Sequence, residues 1–288
     1  MASIEDNLQS ALSTPVTNVR ELQGGCIARV VGGLAQGMGE FVAKIGDGSS
    51  DLRIEAAMLE DLHRLTALPI PTVWHAERDL LVMERLHGST GADATAQRHL
   101  AELLAEAHGV QGQSFGYQRD TLIGPLTQPN PAEQSWARFF GRHRLVHFAT
   151  LAEQRSALPP GGAEVAHRLS DALEREPSRF LAADEPPALI HGDLWSGNVL
   201  SDRGRITGLI DPAIYYADRE IELAFMGLFG CVGRPFFERY HELRPIQPGF
   251  FERRQGMYRA YPLLVHAILF GGGYGRQAVS AMERAMAT

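Results

Sequence analysis

Residues 190–200 read Ile-His-Gly-Asp-Leu-Trp-Ser-Gly-Asn-Val-Leu, and residues 209–212 read Leu-Ile-Asp-Pro. Within them, Asp193 and Asn198 are five residues apart, and Asp211 follows after a further thirteen. Each of these residue types is common in turns, so none of them is informative alone. Their combined spacing is what distinguishes the segment and decides how the chain is interpreted.

The residues between Asn198 and Asp211 have the pattern of a β-hairpin. Val199 to Ser201 and Arg205 to Ile210 can pair as antiparallel strands about the turn Asp202-Arg203-Gly204. A hairpin returns the chain to the point where it started. We therefore expect Asp211 to lie beside Asn198, with Asp193 in the same cleft.

Such a set of side chains suits phosphoryl transfer. Mg²⁺ prefers hard oxygen ligands and takes one or two from protein, so Asp211 and Asn198 can hold it. Asp193 can accept the proton of an attacking hydroxyl, while His191 orients the loop. The alternative is a His-Gly-Asp turn before an ordinary hairpin. The joint spacing favours a catalytic loop, because the protein-kinase signature has the same order of residues.

A kinase must also hold its nucleotide. The segment Phe41-Val42-Ala43-Lys44 places a lysine at the end of a short apolar strand, and Glu55 lies on the following predicted helix. The pair can direct the Lys44 ammonium at the α- and β-phosphates of ATP. Separately, each has an ordinary interpretation as a strand-end lysine and a solvated glutamate. Their order before the catalytic loop favours the nucleotide pair.

Residues 80–86 read as a last strand leading into the connection between two lobes. There Met83, the backbone C=O of Glu84 and the N–H of Leu86 are predicted to contact adenine. Gly24-Gly25 lies in the turn expected to cover the phosphates, although this signal is weak. No Walker A sequence and no full G-x-G-x-x-G is present.

The order of predicted elements indicates an α+β fold with two lobes, a small β-rich lobe over residues 1–86 and a larger α-helical lobe over residues 87–288. In the first ~85 residues we predict strands with one helix. After Gly88 we predict helices, interrupted by a single hairpin near residue 200. The predicted strands are two within Val19 to Val31, Glu40 to Ile45 and Leu80 to Met83; the predicted helices are Leu52 to Leu65, Ala96 to His108, Gln134 to Arg155, Val165 to Phe180 and most of the tail from Ile221.

Composition narrows the class of protein. The 288 residues carry a formal net charge of −7 with no evident basic face, which argues against nucleic acid or an anionic membrane as partner. Two cysteines, Cys26 and Cys231, cannot build a disulfide framework or a zinc site alone. The start of the chain lacks the pattern of a signal peptide, and no apolar run approaches ~20 residues, so we expect a cytoplasmic protein. His143 and His147 have metal-like spacing, but helix packing or substrate contact is the better interpretation.

With these residues in hand, the chain resembles the fructosamine/ketosamine-3-kinase family, within the group of aminoglycoside phosphotransferases and choline kinases. In this group His-Gly-Asp stands where protein kinases carry His-Arg-Asp, which fits small-molecule substrates. The resemblance covers nearly the whole chain. It includes Gly24-Gly25-Cys26-Ile27, residues 81–84, residues 191–198, Asp211-Pro212-Ala213, Tyr215, residues 220–224, Tyr240-His241, Pro248-Gly249-Phe250, Tyr258, Tyr261 and residues 270–274.

The resemblance implies a protein-kinase-like fold and ATP-dependent phosphorylation of the 3-hydroxyl of a ketosamine. Similar bacterial-looking members often act on ribulosamines and erythrulosamines as well as fructosamines. The phosphorylated ketosamine is unstable and releases its amine, so the family is assigned to protein deglycation. Carried over, Asp193 is the base, Asn198 and Asp211 are the magnesium ligands, and Lys44 with Glu55 is the nucleotide pair.

The resemblance also implies that Trp195 faces the sugar. An indole face suits the C–H side of a sugar and can attract the cationic amine of a ketosamine. Asp218, Glu220 and Glu222 can add negative charge near that amine, or they can cap a helix N-terminus. We favour capping for Asp218 and leave Glu220 open as a substrate residue.

Cys26 belongs to the phosphate loop, where family members often carry a cysteine connected with redox-sensitive intermolecular disulfides. A turn near phosphate-binding groups can lower a thiol pKa and make it reactive. The equal alternative is a small, half-buried residue without a redox role. The expected assembly is therefore a monomer or a redox-linked dimer, and reversible oxidative inactivation is a hypothesis.

Two other functions stay open at this point. One is a kinase of another small hydroxylated amine, of the aminoglycoside, choline or homoserine type. The other is a non-catalytic nucleotide-binding protein, which is disfavoured because every expected catalytic residue type is present. Fold alone does not decide among them, since one fold hosts many chemistries.

Overall fold

The amino-terminal part of the chain forms a five-stranded antiparallel sheet with the strand order β1-β2-β3-β5-β4. The computed structural model describes residues 3–22, 29–48, 50–183 and 185–287. The strands are β1 (Val16–Glu21), β2 (Arg29–Ala35), β3 (Gly39–Ile45), β4 (Val73–Ala76) and β5 (Leu80–Glu84). The turn between β1 and β2, with Gly24 and Gly25, lies outside the described residues.

Two helices accompany this sheet. Helix α1 (Ile4–Leu12) is capped by Ser3, and its buried Leu8 packs with Phe41 and Val82 in a small separate core. Helix α2 (Leu52–Leu65) begins at its Asp51 cap and has the predicted bounds. Its apolar face belongs to the main core of the protein, which continues into the second lobe. Because α2 shares that core, its Glu55 is held close to the cleft between the lobes.

The prediction of a single helix in this region was wrong, and β4 was not predicted. The signal for α1 is a capping box, in which Ser3 and Asp6 exchange hydrogen bonds. A nine-residue helix is marginal by itself and depends on tertiary packing, which the sequence does not display.

The rest of the chain is mainly helical, as predicted. Two π-helical segments, Phe140–Val146 and Phe250–Arg254, precede α5 and α10. The helices are α3 (Ala94–Ala107), α4 (Trp136–Phe139), α5 (His147–Gln154), α6 (Gly162–Arg175), α7 (Pro177–Phe180), α8 (Glu220–Met226), α9 (Arg234–Leu243), α10 (Gln255–Tyr258), α11 (Ala260–Phe270) and α12 (Tyr274–Ala287). Within the described ranges no helix is long and apolar enough to cross a membrane.

Short strands in this second lobe hold the predicted catalytic segment, residues 190–211. They are β6 (Ser89–Thr90), β7 (Thr121–Ile123), β8 (Leu126–Gln128), β9 (Ala188–Ile190), β10 (Val199–Asp202), β11 (Arg205–Leu209) and β12 (Tyr215–Ala217). The predicted hairpin is confirmed as β10 and β11, paired antiparallel. The expectation of a single hairpin was wrong, since β7 and β8 form another. The division of the chain after residue 86 stays a prediction; the five-stranded sheet ends at Glu84.

Candidate active site

The catalytic segment runs from the end of β9 into β10 through a 3₁₀ turn at Ser196–Asn198. Gly192 has φ +86, and a Cβ added there would lie 2.1 Å from the carbonyl oxygen of Ala213. Only glycine permits this left-handed backbone and close approach. The Ala213 N–H also donates to the His191 carbonyl at 2.7 Å. The His-Gly-Asp segment is thus packed directly on the chain that follows Asp211.

Asp193 and Asn198, which were expected to share a cleft, are in contact. Asn198 Nδ2 donates to the Asp193 backbone oxygen at 2.8 Å and to its Oδ2 at 3.2 Å. Burial, followed by the charge of Asp211, raises the pKa of Asp193 to about 7. An aspartate with a raised pKa in a cleft has the character of a proton acceptor.

Asp211 lies where the hairpin returns, since the Ile210 N–H donates to the Asn198 carbonyl at 3.1 Å. Its φ of +56 is in the left-handed region, which is uncommon for a non-glycine residue and often marks a functional site. Its Oδ1 accepts from Lys44 Nζ at 2.7 Å. The expected convergence of Asp193, Asn198 and Asp211 is therefore present.

Lys44 joins the two lobes. Its ammonium donates to Glu55 Oε1 at 2.6 Å and to Asp211 Oδ1 at 2.7 Å, so the predicted pair with Glu55 is formed. Burial by itself lowers the pKa of Lys44, but the two carboxylates outweigh it and raise that pKa above its ordinary value. Lys44 therefore carries its charge, and one of its three N–H bonds stays available for a phosphate oxygen.

The predicted adenine-binding stretch lies at the end of β5. The Glu84 N–H donates to the Thr72 carbonyl at 2.8 Å, and its side chain accepts from Thr72 Oγ1 at 3.0 Å. Met83 is buried, and the Leu86 side chain lies against Gly208 of β11. Among the described residues the Leu86 N–H has no hydrogen-bond acceptor. These contacts suit a backbone that presents polar groups to a base.

Sequence reasoning missed the central role of Glu222. This fully buried carboxylate of α8 accepts from the Gly192 N–H at 2.6 Å, the His191 N–H at 3.3 Å and His108 Nε2 at 2.9 Å. His108 in turn contacts the Tyr240 hydroxyl at 2.7 Å. Glu222 thus fixes the backbone of His191 and Gly192. Its signal was available, because a glutamate within the apolar run of residues 221–226 is an expensive residue that needs a partner.

The assignment of Glu220 to the substrate was wrong. Its side chain is fully buried, and Arg254 binds both carboxylate oxygens at 2.5 and 2.8 Å. Asp218 was expected to cap a helix, and its Oδ1 accepts a hydrogen bond from the Glu220 N–H at the start of α8. Neither carboxylate is therefore free to meet an amine in the cleft.

Trp195 follows Asp193 by two residues in the chain and is 39% exposed. Its indole covers Gly197, where an added Cβ would lie 2.3 Å from a ring carbon. The glycine of Trp-Ser-Gly-Asn is thus explained by the ring packed on it. Part of the indole remains exposed to solvent.

A second residue that the sequence did not point to is Gln128 of β8. It is fully buried and donates to the Ala213 carbonyl at 3.1 Å and to Thr121 Oγ1 at 2.8 Å, while the Tyr261 hydroxyl donates to its Oε1. Ala213 follows Asp211 and packs on Gly192. Gln128 therefore connects the unpredicted hairpin with both loops of the site.

The donor set of the site fits a magnesium ion. In the described part of the chain, Asn198 Oδ1 and Asp211 Oδ2 accept no hydrogen bond from protein. One carboxylate and one amide oxygen are a typical protein share for Mg²⁺ in a nucleotide site. Across the described ranges no group of three or more His, Cys, Asp or Glu side chains is arranged to hold a metal.

Only one of the two cysteines, Cys231, belongs to the described residues. Cys26, like Gly24 and Gly25, lies outside the described residues, so the redox hypothesis stays a prediction. Cys231 is buried, and burial raises the pKa of its thiol to about 12. The Cys231 thiol is therefore unreactive at neutral pH.

Solved structures share this architecture. A protein from Thermobifida fusca assigned as a fructosamine-3-kinase superposes with a TM-score of 0.85 and 29% identity, covering 99% of each chain. A thermostable aminoglycoside phosphotransferase, solved with AMP-PNP and hygromycin B, gives a TM-score of 0.68 at 19% identity and shares the fold. The fold and its site define a phosphotransferase of the protein-kinase-like class that acts on a hydroxyl group.

The chain belongs to the fructosamine kinase family, whose model matches residues 1–288. It is 34% identical over 277 residues to a probable ketoamine kinase of Synechocystis, covering 93% of this chain and 90% of that protein. It is 31% identical over 284 residues to a chloroplastic protein-ribulosamine 3-kinase of Oryza sativa, covering 96% of this chain and 81% of that protein.

Proposed function

We propose that this protein transfers the γ-phosphoryl group of ATP to the 3-hydroxyl of a ketosamine. The observation that carries the proposal is the convergence of Asp193, Asn198 and Asp211 with the Lys44–Glu55 pair from the other lobe. The names of the relatives point to ketoamines and ribulosamines as acceptors. Release of the amine from the phosphorylated product would make the reaction a step of protein deglycation, which we place in the cytoplasm.

The proposed reaction gives each of these residues a role. Asp193 takes the proton of the acceptor hydroxyl while that oxygen forms its bond to the γ-phosphorus. The bond between the γ-phosphorus and the bridging oxygen breaks, and its electron pair leaves with ADP. Lys44, oriented by Glu55, holds the α- and β-phosphates, and Met83, Glu84 and Leu86 hold the base.

Asn198 and Asp211 are the residues that would hold Mg²⁺. When bound, the ion neutralises the negative charge that the phosphates bring into the cleft. In this structure Lys44 lies on Asp211 Oδ1, at 2.7 Å. Lys44 thus fixes the orientation of that carboxylate.

A substrate panel tests the proposal. ADP release from ATP·Mg²⁺ is measured with ribulosyl-lysine, fructosyl-lysine, kanamycin and choline. We expect turnover on the ketosamines. Turnover on kanamycin or choline alone would keep the fold and the base but reject the ketosamine assignment, and ATP binding without turnover on any acceptor would support a nucleotide-binding protein.

Trp195→Ala tests how the acceptor is held. We propose that the exposed indole covers the sugar and its cationic amine, an interaction of about 0.5–2 kcal/mol. The KM for the ketosamine should therefore rise by about 2- to 30-fold, with the KM for ATP unchanged. Trp195→Phe is the matched control, since it keeps an aromatic face and should lose less. Equal KM values for both acceptor and ATP in Trp195→Ala and the parent would remove Trp195 from the acceptor site.

A further inference from the structure

A second concave site lies away from the catalytic loop. It is a pocket of about 450 Å³ between the start of α4, helix α7 and the segment that leads into β9. Its walls include Phe115, Trp136, Pro177 and Leu181, and Glu185 and Asp218 also line it. A volume of this order is within the range of small-molecule sites.

The strand register separates this pocket from Asp193. In the β9–β12 pair, Tyr215 lies opposite Ile190 and Ala217 lies opposite Ala188. Asp193 follows the Ile190 end, whereas Asp218 follows the Ala188 end. At about 3.3 Å per residue, Asp218 lies roughly 10 Å beyond Ile190, on the side away from the catalytic loop. The pocket is therefore not part of the phosphoryl-transfer cleft.

Asp218 is a buried carboxylate that receives only neutral donors. It is 1% exposed, and it accepts from the Tyr258 hydroxyl at 2.7 Å and the Glu220 N–H at 2.9 Å. In the described ranges it forms no ion pair within 4.0 Å. Burial, followed by the charge of Glu220, raises the pKa of Asp218 to about 7.

The neighbouring arginines are already paired with other acids. Arg219 binds the two carboxylate oxygens of Glu185 at 3.0 and 3.1 Å, and Arg254 binds Glu220. Of the two acids at the pocket, Glu185 has an arginine partner and, among the described residues, Asp218 has none within 4.0 Å. The acidic side chains at the pocket therefore leave an excess of negative charge, and the rings of Trp136 and Phe115 line the same pocket.

We propose that this pocket binds a small organic ammonium ion, with the cation facing Asp218 and Glu185 and with Phe115 and Trp136 among the walls around it. An aromatic face with a carboxylate close by attracts such a cation, most strongly where water is excluded. The apolar walls then cover the carbon atoms of the ligand. This site is additional to the catalytic one, and its test does not depend on turnover.

The test is calorimetric titration of the full chain with tetramethylammonium chloride at constant ionic strength. We expect saturable binding that neutral tert-butanol does not reproduce. Ala182→Trp fills the pocket without touching the hydrogen bonds of Asp218, and it should weaken binding at least tenfold. Asp218→Asn should also weaken it at least tenfold, whereas Asp202→Asn on the exposed β10–β11 turn should leave it unchanged.

Two results of this titration would overturn the proposed ammonium site. Unchanged affinity in Ala182→Trp, with its melting curve showing a folded protein, overturns the proposal even if Asp218→Asn does not fold. Loss of binding in Trp195→Ala with full binding in Ala182→Trp would place the cation in the catalytic cleft and also overturn it. Failure of the ketosamine proposal in the substrate panel would leave this result untouched.

Discussion

Replacing Asp193 with asparagine is expected to lower kcat by about 10²- to 10⁴-fold, the usual contribution of a positioned general base. The amide has nearly the shape of the carboxylate but cannot accept the hydroxyl proton. The contact from Asn198 to the Asp193 backbone oxygen does not depend on the side chain, so the loop should keep its form. The nucleotide residues Lys44 and Glu55 are unchanged, and the KM for ATP should stay within about twofold, well below the effect on kcat.

The measurement is steady-state ADP release on the preferred ketosamine, with ATP binding followed separately. Asp202→Asn is the matched control, since it makes the same chemical change on the exposed hairpin turn. A variant at position 193 that keeps more than a tenth of the parent kcat would contradict the role of Asp193 as base. A parallel loss of ATP binding would instead indicate that the substitution disturbed the cleft.

Glu222→Gln should have the second largest effect, on both stability and catalysis. Gly192 N–H, His191 N–H and His108 converge on this one carboxylate. A glutamine presents an NH₂ group where an acceptor is needed, and each buried donor left unsatisfied costs about 1–3 kcal/mol. We expect a loss of about 3 kcal/mol in the free energy of unfolding, measured by urea denaturation.

Glu222 acts through the loop and does not reach the reacting atoms, so its catalytic effect has a distinct signature. Displacement of Gly192 moves Asp193, and we expect a fall in kcat with a smaller change in the KM for ATP. Glu174→Gln is a suitable control, because Glu174 pairs with Arg142 at the surface. A destabilised Glu222→Gln variant with parental kcat below its unfolding transition would show that Glu222 is structural only.

The free energy of unfolding should depend on pH through the ionisation of Glu222. Burial raises the pKa of Glu222, but the hydrogen bond and charge of His108 and the Gly192 N–H outweigh it, so the pKa is lowered from 4.5. Because the pKa of Glu222 is lower in the folded protein than in the unfolded chain, the ionised carboxylate stabilises the native state at pH values above 4.5. This stabilisation is lost as the pH falls from 4.5 toward the pKa of the folded state. The parent should lose stability more steeply than Glu222→Gln in this range, as urea midpoints at successive pH values would show.

The local pattern of the sequence was sufficient for several elements. The helix Leu52–Leu65 was predicted to the residue from its apolar spacing and from Pro69 after its end. The hairpin was predicted from its turn residues, and it brought Asp211 back to Asn198. Lys44 and Glu55 were paired from their order alone, and the ion pair is present.

The errors arose where buried partners come from distant parts of the chain. Glu220 and Glu222 look equivalent in the sequence, two glutamates one residue apart at the start of a helix. Arg254, far along the chain, forms an ion pair with Glu220, whereas Glu222 accepts a hydrogen bond from the Gly192 N–H. Helix α1 and strand β4 are short, so they depend on packing that leaves little local signal.

The sequence by itself determined which residue types are present for the chemistry that we propose, those of a base, metal ligands and a nucleotide pair, and their order along the chain. These follow from residue type and short spacing, which are local properties. Only the tertiary structure decided which carboxylates face the cleft, which one anchors the loop, and which one is buried without a cation at a second pocket. Those outcomes depend on desolvation and on partners between 30 and 170 positions away, such as Lys44 and Asp211, which are 167 residues apart.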